Sequence, residues 1–533
     1  MTRANVQLEL PIVGIHPPFE PSPIARTRRV FVNRNLKMSG IDWVGFDMDY
    51  TLAIYNQTEM DRLSIDATLK KLVSRGYPEA ILRGITYPAD FPVRGLLIDK
   101  RYGNILKMDR FKVVHKAYHG LRELTRDEIR GLYHQKKIRP ATPRYHWVDT
   151  LYALSEVTVY AAIIDRLDQM GEPVDYDKLF ADIRESIDEA HRDGTILDEV
   201  ASDLPRFIDR DPALAQTLHK LRSAGKKLFL LTNSRWPYTE KMMTYLLGGA
   251  MPEYPSFRHF FDVIVVASAK PAFFQERRPL FVREGPTPRN GPPVTTIVRT
   301  PPNIDVSGPA VSPPGSMQAV AELRLATPPL ERGCVYEGGN LQDFEKFLGT
   351  TGDRILYVGD HIYGDILRSK KESAWRTVMI IQEMEAEVVA HESCREENNL
   401  LVDLEERREQ LEDELRYYQQ SYKDIVRKLE VAKETKAPAA PLEAERGRIK
   451  RAVERIRGQM RVVDGELLRL ERDISRRFHP YWGSLLKEGN ETSSFGDQVE
   501  EYACLYTSRV SNLNLYSPLQ FFRSPRDLMP HEL

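Results

Sequence analysis

Asp47 and Asp49 stand one residue apart at the end of the apolar run Trp43-Val44-Gly45-Phe46. Such a run reads as a buried strand, and successive strand residues point to opposite faces. The two acids therefore reach a common substrate only where the chain turns out of the strand. A nucleophilic carboxylate, a second acid that handles protons and a cation that holds the charges together would use such a pair. The plainer alternative is two acids that end a strand in a loop.

Other polar clusters follow apolar runs in the same way. Lys227-Leu228-Phe229-Leu230-Leu231 leads into Thr232-Asn233-Ser234, and Asp262-Val263-Ile264-Val265-Val266 is followed by Lys270. Arg354-Ile355-Leu356-Tyr357-Val358 opens into Gly359-Asp360-His361-Ile362-Tyr363-Gly364-Asp365, and Arg376-Thr377-Val378-Met379-Ile380-Ile381 is a fifth run. Continuous apolar strands separated by helices predict an α/β protein with a parallel sheet covered on both faces. Ligands of such sheets bind outside the strands' carboxyl ends. Every polar cluster named here falls at that edge.

The order of acid pair, Thr-Asn, lysine and Gly-Asp…Asp resembles the haloacid dehalogenase superfamily of aspartate-nucleophile phosphohydrolases. It is closer still to the cytosolic purine 5′-nucleotidases, which prefer IMP and GMP. The resemblance is carried by Arg29-Val30-Phe31-Val32-Asn33-Arg34 ahead of Gly45-Phe46-Asp47-Met48-Asp49-Tyr50-Thr51-Leu52-Ala53. It is carried again by Tyr357 to Leu367 and by the tail Leu528-Met529-Pro530-His531-Glu532. It implies a Rossmann-like core with an inserted α/β cap, and a small-molecule nucleotide as substrate.

Composition agrees with a cytoplasmic enzyme. With 533 residues the chain exceeds a single core, so two or three domains are expected. Seventy-six basic and 77 acidic residues leave a formal net charge of −1, which gives no reason to expect nucleic acid or an acidic membrane as partner. Three scattered cysteines, Cys334, Cys394 and Cys504, fit reduced thiols. No stretch approaches ~18 consecutive apolar residues, and the start shows no basic segment followed by an apolar one, so neither a membrane span nor a secretory signal is expected.

Five regions are predicted. Residues 1–55 carry the first core strand and the acid pair. Roughly 180 residues separate Thr51 from Thr232, too many for a crossover, so residues 56–205 are an insertion, which the resemblance makes a cap over the site. Residues 206–390 complete the core, interrupted by a Pro-rich stretch, 277–332, with few apolar anchors and the character of a linker. Residues 391–480 are helical. Ile449, Val453, Ile456, Met460, Val463, Leu467, Leu470 and Ile474 form a heptad seam, and Leu411, Leu415, Tyr418, Tyr422, Ile425 and Leu429 form another. With Pro438 and Pro441 between them, an antiparallel coiled-coil-like hairpin on the order of 40 Å long is expected. It would serve as a homo-oligomer contact or partner arm, or satisfy only itself. Residues 481–533 pack back on the core.

The roles expected at the rim are specific. Asp47 attacks phosphorus, and Asp49 protonates the leaving oxygen and later deprotonates water. A hard cation, Mg²⁺, prefers oxygen ligands and would be shared by Asp47 and Asp360; the resemblance adds the Asp49 carbonyl. Asp365 would hold metal-bound water or steady Lys270. Thr232 and Asn233 would donate to phosphate oxygens, and Lys270 would supply positive charge. His361 is expected to pack rather than ligate.

For the substrate's base, Arg184, Asp188 and His191 fall on one stripe of a helix running from Phe180 to Arg192. Taken alone, the stripe is a solvated ion pair. Under the resemblance, Arg184 and Asp188 read the edge of a 6-oxopurine while Tyr152 and His191 stack on it. Tyr152 replaces the family's phenylalanine, and Ala153 replaces its asparagine. The function expected is thus a Mg²⁺-dependent 5′-nucleotidase for IMP and GMP, with phosphotransfer to a nucleoside open to the same intermediate. The alternatives are a phosphatase for another small phosphate ester and a non-catalytic scaffold acting through the hairpin.

Overall fold

The computed structural model describes residues 23–133, 138–285, 324–327, 329–367, 373–435, 438–526 and 529. Its centre is a ten-stranded sheet. Seven neighbouring strands run parallel, in the order Leu505–Thr507, Arg376–Ile380, Ile355–Gly359, Trp43–Phe46, Lys227–Leu231, Val263–Val266 and Val335–Gly338. The innermost strands are buried on both faces, which explains why they read as unbroken apolar runs rather than alternating ones.

Register brings the polar ends to one rim. Phe46 pairs with Leu230 on one side and with Val358 on the other. Asp47 therefore leaves the sheet level with the residues preceding Thr232 and Asp360. Gly45 makes this packing possible: a Cβ there would lie 2.0 Å from the Phe229 ring.

The stretch 277–332 departs from its expectation at both ends. Leu280–Glu284 pairs antiparallel with Val335–Gly338, and Arg324–Leu325 pairs with Leu280–Glu284, extending the sheet. Leu280 is the buried anchor, packed with Phe273, Phe274 and Tyr336. The Pro-rich middle, 286–323, lies outside the described residues, as does most of the 528–532 tail.

Between Thr51 and Thr232 the chain builds a separate antiparallel sheet. Its strands are ordered Arg122–Glu123, Val114–His119, Asn104–Met108, Leu96–Asp99 and Tyr145–Val148. Helices Gln57–Ser74, Ala153–Met170 and Tyr176–Arg192 pack against one another beside it. Tyr176–Arg192 begins earlier than expected because Asp175 caps it, accepting the Lys178 N–H at 3.1 Å.

The hairpin consists of helices Arg395–Glu434 and Ala440–Phe478. Leu411 clusters with Val463 and Leu467, and Ile425 and Leu429 with Ile449, so the helices run antiparallel. At 40 residues the first helix is about 60 Å long, longer than expected, because it starts well before the first seam residue.

Candidate active site

Loops distant in sequence meet at the sheet's carboxyl rim. Lys270 Nζ lies 2.9 Å from Asp47 Oδ1 and 2.6 Å from Asp365 Oδ1, and it donates to the Tyr357 hydroxyl at 2.8 Å. Carboxylate oxygens of Asp47, Asp360 and Asp365 all lie within 4.8 Å of one another, and all three residues are buried. Gly359 admits Asp365 to this cluster, since a Cβ there would stand 2.6 Å from the Asp365 side chain. Asp365 sits in a π-helical turn, Ile362–Leu367, in which the His361 carbonyl accepts from both Asp365 N–H and Ile366 N–H. Single π turns recur at functional sites.

Burial dominates the charge balance. It pushes the Asp47 carboxyl well above the usual carboxylate range, against the pull of Lys270 and helped by the neighbouring acids. Burial, then Asp365, raises Asp360 to about 8. For Lys270 burial acts downward, but Asp365 and Asp47 outweigh it and keep the ammonium charged. Three buried acids facing one ammonium cannot all stay ionised without a further positive charge.

That donor set is all carboxylate oxygen and crowded, which suits a hard divalent cation such as Mg²⁺ rather than a thiophilic metal. Asp47 and Asp360, the two carboxylates expected to share a cation, both lie in this cluster. Asp365 joins them by geometry as well as gripping Lys270. The Asp49 side chain does not belong to the cluster.

Asp49 is instead held on the other side of the turn. Its Oδ1 accepts from the Tyr55 hydroxyl at 2.6 Å and its Oδ2 from Ser234 Oγ at 2.7 Å. Burial still lifts it above the usual range, which favours the protonated form a general acid needs. Tyr50, immediately after it, has φ 55°, and Ala267 and Ala269, just before Lys270, have φ 46° and 56°. Non-glycine residues in this left-handed region carry strain of about 1 kcal/mol or more each, and such residues gather at working sites.

The Asn233 side chain reaches a neighbouring loop. Its Oδ1 accepts the Lys270 N–H at 2.6 Å and Ser268 Oγ at 3.0 Å, and its Nδ2 donates to the Lys270 carbonyl at 2.9 Å. The side chain thereby braces the loop that presents Lys270. Thr232 is buried, with Oγ1 accepting the Ser234 N–H at 3.1 Å.

Sequence reasoning missed four participants. Tyr55, Ser234 and Tyr357 are the hydroxyls just described. Arg94, from the segment ahead of the second sheet, is 1% exposed and donates to the Asp360 carbonyl at 3.0 Å. Its other donors form a bidentate pair with Glu383 at 2.8 and 2.6 Å. A lone arginine between Val93 and Gly95 carries no signal of this.

Of the residues expected to meet a base, Tyr152 and His191 lie beside the turn that carries the acid pair. Tyr152 packs edge-on against Tyr50, with ring centroids 4.8 Å apart, and edge-on against His191 at 5.5 Å. Tyr152 and His191 thus touch each other rather than facing in parallel across a slot. Arg184 is half-buried and donates to His146 Nε2 at 2.8 Å, while Asp188 is exposed. Among the described residues no helix is long and apolar enough to cross a membrane.

The rim of the parallel sheet thus carries an acid pair, a buried lysine and a third and fourth acid. A model of the 5′ nucleotidase family matches residues 30–533, and the chain belongs to that family of hydrolases. It is similar to a 5′-nucleotidase domain-containing protein of Dictyostelium discoideum, 27% identical over 521 residues, covering 96% of this chain and 76% of that one. It is also similar to human 5′-nucleotidase domain-containing protein 2, 28% identical over 384 residues, covering 70% of this chain and 66% of that protein, just under two thirds of its length. Among solved structures, a predicted phosphoglycolate phosphatase from Haemophilus somnus covers 64% of this chain and 85% of its own, at 13% identity and a TM-score of 0.25.

Proposed function

We propose that this chain is a Mg²⁺-dependent 5′-nucleotidase that hydrolyses purine nucleoside monophosphates, IMP and GMP, through a phosphoryl group carried on Asp47. The observation that carries this reading is the contact of Lys270 Nζ with Asp47 Oδ1 at 2.9 Å inside the Asp47, Asp360 and Asp365 cluster. An Asp47 oxygen attacks phosphorus as the bond to the ribose 5′ oxygen breaks, and Asp49 gives that oxygen its proton. Asp49 then takes a proton from water, whose oxygen attacks the same phosphorus and breaks the Asp47 O–P bond, releasing inorganic phosphate. Tyr55 and Ser234 hold the Asp49 carboxyl in place through both steps. Lys270, fixed by Asn233 and Tyr357, supplies charge to the phosphoryl oxygens. Asp47 and Asp360, with Asp365 beside them, would hold the cation, which when bound neutralises their charge and that of the phosphate.

The purine preference is supported by Tyr152, which packs on Tyr50 beside Asp49, and by His191, which packs on Tyr152. A nucleoside acceptor in place of water would turn the same intermediate to phosphotransfer. Phosphate release from a panel of nucleoside monophosphates and sugar phosphates, with and without Mg²⁺, tests the reading. Preference for IMP and GMP, lost without the cation, supports it. Preference for sugar phosphates assigns the site to another phosphate ester, and no turnover of any substrate leaves a scaffold.

A further inference from the structure

We propose that Glu156 and His146 are positioning residues that hold the Arg184 guanidinium for recognition of the substrate's base. The inference rests on the purine reading above and extends it to residues outside the expected stripe. Glu156 follows Tyr152 by four positions, so the acid and the ring share one face of the helix Ala153–Met170. The residue is 7% exposed, and its Oε2 is fully buried with no hydrogen-bond partner. The group it faces is Arg184, whose Nε stands 3.9 Å away, too far for a hydrogen bond and close for a charge pair.

On the other side, the Arg184 NH1 group donates to His146 Nε2 at 2.8 Å. His146 lies on the strand Tyr145–Val148, with its ring 5.0 Å from Phe180. Burial and the adjacent Arg184 push His146 down to about 4, so its imidazole is a neutral acceptor throughout the physiological range. The guanidinium is thus fixed between an imidazole from the second sheet and a carboxylate from a neighbouring helix. An arginine offers five donors in a rigid fork, and this side chain remains 39% exposed. The donors not taken by His146 are the ones left for an acceptor-rich base edge such as a 6-oxopurine.

Burial raises Glu156 to about 7, with Arg184 acting downward and Asp188 and Asp149 upward. Charged groups facing it are therefore Arg184 and Asp188 from the helix Tyr176–Arg192 and Asp149 from the preceding loop, with neutral His146 beyond the guanidinium. Its ionisation across neutral pH changes the hold on Arg184.

The test is steady-state kinetics of the full chain with Mg²⁺ on IMP and on base-free ribose 5-phosphate, for the wild type, Glu156→Gln and His146→Phe. Each variant is expected to raise KM for IMP roughly tenfold, the size of one misplaced hydrogen bond to a charged group. The kcat for IMP and all constants for ribose 5-phosphate stay as they were. Between pH 6 and 8 the ratio of KM for IMP to KM for ribose 5-phosphate, in which titration of the phosphate and of the acid cluster cancels, shifts in the wild type and not in Glu156→Gln. An equal loss on both substrates, or no change in KM, overturns the proposal. A wild type that prefers IMP while both variants behave like it overturns the positioning role alone; a wild type that treats IMP and ribose 5-phosphate alike overturns the purine reading itself. Should His146→Phe not fold, the near-isosteric Glu156→Gln decides.

Discussion

Lys270 holds Asp47: its ammonium lies 2.9 Å from the carboxylate that faces the cluster, with both side chains buried. The same ammonium grips Asp365 at 2.6 Å. Lysine here serves two ends, lowering the charge on the nucleophile and remaining available to the phosphoryl oxygens. Removing it strands two acids without their counter-ion. Lys270→Met is expected to cost about 3–5 kcal/mol of stability, the usual penalty for breaking a buried pair, and to lower kcat about 10²- to 10³-fold. Denaturant unfolding and phosphate release check both. A variant that keeps either stability or kcat contradicts the assignment.

Arg94 ties the segment before the second sheet to the Asp360 loop and to Glu383. Arg94→Met leaves Glu383 facing an apolar side chain and the Asp360 carbonyl without its donor, an expected loss of about 2–4 kcal/mol. The double variant Arg94→Met/Glu383→Gln should recover part of that loss, because the stranded charge is gone. Melting curves of the wild type, both single variants and the double variant measure the coupling. Simple additivity would show that the pair does not act as a unit.

Gly45 is the tightest glycine of the core. In Gly45→Ala the new methyl meets the Phe229 ring, which stacks on Tyr357 with centroids 6.2 Å apart and planes 11° apart. Overpacking of this kind costs about 1–3 kcal/mol. Tyr357 also accepts from Lys270, so the strain reaches the lysine. A fall in kcat is expected together with the loss of stability; unchanged kcat in a destabilised variant would disconnect Phe229 from the site.

Asp61, outside the carboxylate cluster, gives a pH prediction. Burial raises it to about 7, opposed by the bond from Gln57 and helped by Asp90. The folded state then binds this proton more tightly than the unfolded chain does. Its contribution to stability therefore falls as pH rises from the ordinary carboxylate range to about 7. Asp61→Asn removes that slope, so its Tm relative to the wild type should rise between pH 5 and pH 8. A Tm difference equal at the two pH values contradicts the assignment.

What the sequence disclosed follows from how the sheet is built. Strands buried on both faces leave continuous apolar runs, and the loop after each run is placed at the rim by the fold itself, so Asp47, Thr232, Lys270 and Asp360 were legible. Side chains that act across elements left no such mark. Arg94 and His146 reach the site from other segments, and Tyr357 sits inside a run where its ring counts as apolar. Asn233 was legible as a rim residue but its bracing of another loop was not, because its partners there are the Lys270 backbone and the Ser268 hydroxyl. Leu280–Glu284 was hidden by the prolines that flank it. The stripe Arg184, Asp188 and His191 fell on one helix as its spacing required, yet the acid packed behind Arg184 comes from a different helix.

The central claim is that Asp47 carries the phosphoryl group. The 533-residue chain mixed with IMP and Mg²⁺, quenched in acid within one turnover and digested, should yield the peptide containing Asp47 with one added phosphoryl group. Asp47→Asn should yield none, release no phosphate and still melt cooperatively. Phosphate release by the wild type with no modified Asp47 peptide at any quench time, or turnover by Asp47→Asn, would contradict the account.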